Sequence, residues 1–211
     1  MRRRFIAATE IQYAAGRQPA GRPSAPGRLA LVQAFVNSHF DLEHEYGADL
    51  LATGSGVGAW LLEQGLAHRL QPVEEDRRAR AVAVREGLRG LLAAHNGAQV
   101  DSSALDSLQS AAHGLLAGIV VGDDGRAWPV ARSADLEGAL GLVLALVSEA
   151  QATGSWERLK ACPGELCGWA FYDHSRNHAS TWCSMAICGS REKARTYRRR
   201  SLGGDAGRRL P

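Results

Sequence analysis

Long apolar runs are missing from this chain. Nothing in its 211 residues approaches the roughly 18 to 20 consecutive apolar residues that a bilayer-spanning helix requires, so no membrane association is expected. The opening Arg2, Arg3, Arg4, Phe5 and Ile6 has the look of a twin-arginine export signal. Glu10 and Gln12 interrupt the apolar stretch that should follow, and no clean cleavage site comes after it. A cytoplasmic protein is the expectation. Lysine is also scarce, 2 residues against 23 arginines. That ratio can follow from genome composition alone and carries no weight here. Nucleophilic catalysis finds little support either: no Ser/His/Asp or Cys/His arrangement stands out, and no enzyme is expected.

Cysteine is confined rather than merely rare. All four cysteines, Cys162, Cys167, Cys183 and Cys188, fall in one window, spaced C-x4-C, fifteen residues, C-x4-C. Each pair closes a tight turn that directs two sulfurs at one point, the arrangement of a four-thiolate site for one structural Zn2+ with no open position for substrate. Two disulfides are the other reading, and they need an oxidising compartment that nothing else indicates. His174 and His178, four apart between the pairs, form a rival ligand set, but four cysteines already complete a tetrahedron.

Charge is divided as unevenly as cysteine. From Arg158 onward there are eleven Lys/Arg against four acids, a balance of +7; the remainder holds 14 against 18, or −4. An acidic body carrying a basic head is the electrostatic footprint of a protein that meets phosphates.

The residues around the sulfurs resemble the CGNR type of zinc finger. In RLKACPGELCGWAFYDHSRNHASTWCSMAICGSREKARTYRRR the F-x-D-x-S-R-N element is Phe171, Asp173, Ser175, Arg176 and Asn177, and Trp182 directly precedes the third Cys. The signature Cys-Gly-Asn-Arg reads Cys188, Gly189, Ser190 and Arg191, so Ser stands where that family has Asn. The resemblance implies a treble-clef-like unit. Cys162 and Cys167 would form a knuckle, Trp169–Tyr172 with Thr181–Trp182 a hairpin, and Cys183 and Cys188 the entrance to a helix ending near Arg200. On that helix Ile187, Ser190, Ala194 and Tyr197 share a stripe suited to packing on the hairpin. Arg191, Arg195 and Arg198 form the adjacent stripe, which Lys193, Arg199 and Arg200 widen into a positive face.

Upstream, LALVQAFVNSHFDLEHEYGADLLATGSGVGAWLLEQGL is similar to the start of the ABATE domain, the body usually joined to CGNR fingers. The matching positions are Phe35, Val36, Asn37 and Ser38, then Asp49, Leu50, Leu51 and Thr53. Helices are expected after a Ser55 cap, over Arg77 to His95 with Arg77, Arg78, Arg80, Arg85 and Arg89 outward, from Ser103, and over Asp135 to Ala152. Ile119–Val121 and Ala127–Val130 around Asp124-Gly125 read as a hairpin, with Pro129 marking an edge. GSGVG at 54–58 lacks the preceding strand and following Lys-Ser/Thr of a phosphate loop. Asp41, Glu43, His44, Glu45 and Asp49 are an acid-rich loop of the residue types that hold hard metals or move protons. His68, His95 and His113 stand alone. Thr153, Gly154 and Ser155 make a hinge, too short to separate two independent units, to a short helix over Trp156 to Lys160 that leads into the finger.

The expected organisation is a flexible leader (1–28), a mostly helical body with a small β element (29–155), a zinc finger (156–202) and a flexible tail (203–211), in the α+β class. The resemblance implies a stress-induced transcription regulator. Its finger would contact DNA through Arg176, Arg191, Lys193, Arg195, Arg198, Arg199 and Arg200, while the body senses a small-molecule effector or mediates assembly into a homodimer. A zinc-stabilised scaffold offering its basic face to an acidic protein is the main rival reading.

Overall fold

The computed structural model describes residues 18–39 and 49–205, with side chains as far as Ser201. Most of the expected leader and tail lies outside the described residues, and so do Asp41, Glu43, His44 and Glu45 of the acid-rich loop. Residues 18–28 differ from the expectation of a leader. Gln18 and Ala25 are buried, and Arg22 lies over the Phe171 ring with 4.6 Å to its centroid.

The body is built round two apolar helices. Helix α1 (Leu29–Val36) is buried on every side, as a helix without a polar face must be. It packs on α5 (Leu136–Ala152), whose N-cap Asp135 accepts a hydrogen bond from Gly138 N. Helices α3 (Glu75–Ala94) and α4 (Ser102–Ala112) pair alongside and contribute Ala81, Val84, Leu88, Leu92 and Leu108 to the same core. Short α2 (Gly54–Glu63) adds Val57, Trp60 and Leu61. Its cap is Thr53, which accepts from Gly56 N at 3.0 Å, rather than Ser55. The cap of α4 is Asp101.

The glycines of GSGVG have a packing reason. A Cβ on Gly54 would stand 1.9 Å from Val73 O, and one on Gly58 would stand 2.1 Å from Gln71 O. The chain at 71–73 therefore lies directly against the first turns of α2, and only glycine admits it there.

Strands β1 (Ala117–Val121) and β2 (Ala127–Ala131) form the expected antiparallel hairpin, Ile119 opposite Pro129, and lean on α5. A second hairpin joins β3 (Leu159–Ala161) to β4 (Ala170–Tyr172), with Leu159 opposite Tyr172 and Ala161 opposite Ala170. This corrects two expectations: Thr181 and Trp182 are not in a strand, and the segment after Trp156 is a single 3-10 turn (Trp156–Arg158) leading into β3. The alternation of Leu159, Lys160 and Ala161 decides the matter, since all three are buried and point to opposite faces in turn. Leu159, Ala161, Ala170 and Tyr172 join the body core, while Phe171 turns to the cysteines. The finger thus shares one core with the body. The fold is α+β, with a mostly helical body and a C-terminal zinc-finger module. Among the described residues no helix is long and apolar enough to cross a membrane.

Candidate metal centre and basic helix

The four sulfurs converge. Their Sγ atoms all lie within 4.8 Å of one another; Cys183 is 3.7 Å from Cys167 and 3.6 Å from Cys188. A zinc ion with bonds of about 2.3 Å to four sulfurs spaces them roughly 3.8 Å apart along each tetrahedral edge. The donor set and its spacing fit one structural Zn2+. Hydrogen bonds from Cys167 and the other two sulfurs pull the Cys162 thiol far down from its ordinary value, and those involving Cys162 and its neighbours push Cys183 far up. Sulfurs this close cannot all ionise unaided. A divalent cation at their centre removes the conflict, because it stabilises each thiolate.

Backbone geometry delivers the sulfurs from two turns. In the first, Cys167 N donates to Gly164 O at 2.9 Å, and Leu166 takes φ 59° before Gly168 at 55°. Cys162 N then donates to Trp169 O at 2.9 Å, extending the β3–β4 ladder. The second turn is a π-helical one, Met185–Gly189, capped by Ser184 Oγ, which accepts from Ile187 N. Its wide spacing brings Cys188 back beside Cys183. Ser190, in place of the family Asn, donates to Met185 O at 3.0 Å and ties that turn to helix α6 (Ser190–Asp205).

A polar hub stiffens the loop between the turns. Asp173 is wholly buried and accepts from Lys160 Nζ (2.9 Å), Ser175 N (3.0 Å), Ser175 Oγ (2.6 Å) and Ser180 N (2.9 Å). Burial pushes this carboxyl up, but the hydrogen bonds from Ser175 and Lys160 outweigh it and hold the group well below the usual carboxylate range. Lys160 spends its other protons on the carbonyls of His178 and Ser180. His178 Nε2 accepts from Arg158 Nε at 2.8 Å, and His174 Nε2 sits 3.0 Å from Ser24 O. Neither histidine belongs to the sulfur cluster.

The body fixes the finger by a second set of buried bonds. Asn37 Oδ1 accepts from Ala170 N (2.7 Å) and Asn37 Nδ2 donates to Ala170 O (2.9 Å), which Gln33 Nε2 also reaches (3.0 Å). Gln18 Oε1 accepts from Gln33 Nε2 and from Trp169 Nε1. Arg89 donates to Gly168 O and Val36 O, and Asn96 Nδ2 to Ala161 O and Thr181 O. Arg85, expected outward, is 1% exposed. It forms a two-pronged pair with Asp49 (2.6 and 2.9 Å) and reaches Glu86 and Ser38 Oγ. Asn37, Ser38 and Asp49 are thus occupied holding the protein together.

All but one of the basic residues expected to meet nucleic acid lie on α6. Arg176 is exposed in the loop after β4; Arg191, Lys193, Arg198, Arg199 and Arg200 are exposed on the helix. Arg195 is half-buried and pairs with Glu165 (2.7 Å) and Glu192 (3.4 Å), and Arg199 pairs with Glu192 (2.9 Å). The stripe of Ser190, Ala194 and Tyr197 is exposed, not packed on the hairpin; Tyr197 keeps 73% of its surface. Helix α6 rests chiefly on the π-turn at its own base, so its flanks stay open.

Lys160, expected in a short helix, lies in β3, and Gln18, Gln33 and Arg89 are anchors that no local sequence pattern marks. Two family models match the chain. One, ABATE, described as "Putative stress-induced transcription regulator", covers residues 27–154. The other, the CGNR zinc finger, covers residues 158–201. No curated protein gives a match.

Proposed function

Because the chain belongs to the ABATE family and carries a CGNR zinc finger at its C-terminal end, we propose that it is a cytoplasmic, DNA-binding transcription regulator of the stress response and not an enzyme. The finger supplies the DNA contact, and the helical body supplies effector sensing or dimer assembly. One observation carries this reading: α6 leaves the zinc turn with Arg191, Lys193, Arg198, Arg199 and Arg200 exposed around it. Such a helix, rooted in a rigid metal site, presents cations to a phosphate ridge without first having to order itself. Arg176 adds a contact from the neighbouring loop, while Arg195 and Arg199 can exchange Glu192 and Glu165 for phosphate.

The domain boundaries belong to the same reading, with the body ending near residue 155 and the finger beginning at Trp156. The shared core means that a change in the body reaches the finger through α1 and α3, the elements that hold β4 and Gly168. A mobility-shift titration of duplex DNA at low salt tests the proposal. The zinc-loaded chain shifts DNA, and Arg198→Ala with Arg200→Ala weakens the shift while leaving the zinc content at one per chain. Failure of the unaltered protein to shift any DNA defeats it.

A further inference from the structure

Trp182 lines two neighbouring surface grooves. One, of about 310 Å³, runs along α6 between Trp182, Gly189, Glu192, Lys193, Thr196, Tyr197 and Arg200. The other, of about 360 Å³, continues past Met185 to Asn177, Ser175 and Arg22. The shared Trp makes them one track across the finger. Its chemistry is specific in kind. Tyr197 is 73% exposed and Met185 55% exposed, so both present open surface to the track.

Cations line both parts of the track. Lys193 and Arg200 are exposed and make no ion pair among the described residues. In the second groove, one guanidinium nitrogen of Arg22 is buried without a hydrogen-bond acceptor among the described residues, while the group stacks on Phe171. The one carboxylate in the track, Glu192, is engaged by Arg195 and Arg199. Aromatic faces between unpaired cations are what a single strand of nucleic acid requires: phosphates take the charges and bases take the rings. A paired duplex uses only the charges, since its bases are stacked inside.

We propose, on the footing that the finger binds DNA, that the groove between Trp182 and Tyr197 seats an unpaired base, so that the protein prefers melted or single-stranded DNA to intact duplex. A groove near 300 Å³ lies at the lower end of small-ligand sites and suits one base with its sugar. Phosphates on either side fall to Lys193 and Arg200 in one direction and to Arg22 in the other.

The test is a fluorescence-anisotropy titration of the full-length, zinc-loaded chain with three labelled DNAs: a duplex, the same duplex with a short thymine bubble, and oligothymidine. The bubble and the single strand are expected to bind roughly tenfold tighter than the duplex. Tyr197→Ala, at an exposed position outside the buried core, removes that preference and leaves duplex binding and zinc content unchanged; Tyr197→Phe keeps the preference. Equal binding of all three DNAs by the unaltered protein, or a preference that survives Tyr197→Ala, overturns the inference while leaving DNA binding itself intact. Binding to none of them instead removes the reading on which the inference rests.

Discussion

Lys160 Nζ stands 2.9 Å from Asp173 Oδ2, and the two side chains retain 8% and 0% of their surface. An ion pair removed from water this completely is stabilising only when its remaining donors and acceptors are satisfied. Here they are, by Ser175, Ser180 and the carbonyls of His178 and Ser180. The pair closes the loop between the two zinc turns. Asp173→Ala leaves a buried ammonium without its counter-ion and is expected to cost about 3–5 kcal/mol. The denaturant midpoint should fall accordingly and zinc should be released faster to a chelator. An unchanged midpoint would show that the loop is held by the metal alone.

Asn37 links the two parts of the chain through both backbone groups of Ala170. Asn37→Ala orphans the buried Ala170 N–H, whereas Ala170 O keeps Gln33 as a donor. The expected loss is about 2 kcal/mol. Hydrogen exchange should show it at the amides of both α1 and β4. Faster exchange confined to α1 would mean that the finger is not anchored there.

Acid sensitivity follows from Asp49. Burial raises its carboxyl and the hydrogen bond and charge of Arg85 lower it, with a net shift below the ordinary value of 3.8. A carboxyl depressed in the folded state contributes stability that is whole above its unfolded value and is lost as pH falls through the folded one. Asp49→Asn should therefore be less stable than the unaltered chain above about pH 5, and the difference should shrink in more acidic buffer. Thermal melts from pH 7 downward check this. A difference independent of pH would place the effect in packing instead.

Metal ligation has a direct check. Cys183→Ser is expected to lose the bound zinc and the order of the finger with it, since metal binding supplies the folding free energy of modules this small. His174→Ala and His178→Ala should retain one zinc per chain, because those rings face Ser24 and Arg158. Undiminished zinc in Cys183→Ser would refute the four-sulfur assignment.

The parts legible in the sequence were those with a short-range cause. Paired cysteines at fixed spacing gave the metal site, a helical period gave α3 and α5, and Asp124-Gly125 gave the β1–β2 turn. What escaped was set by distant partners. Arg85 resembles any other charge on an amphipathic helix until Asp49, 36 positions away, is brought beside it. Lys160 reads as a helix former, and only the pairing with β4 makes it a buried strand residue. Tyr197 shares a period with Ile187, which suggested packing. The π-turn changes the phase of α6 against the finger and leaves the ring in solvent.

That zinc, through the turn at Cys183–Cys188, holds a cationic helix in a form that DNA can bind is what we propose. It is tested most directly by titrating labelled DNA with the zinc-loaded chain at low salt, before and after a chelator has removed the metal. Saturable binding that weakens steeply with added salt and disappears with the zinc is the expected result. Equal binding by the metal-free chain, or no binding by the loaded one, would contradict it.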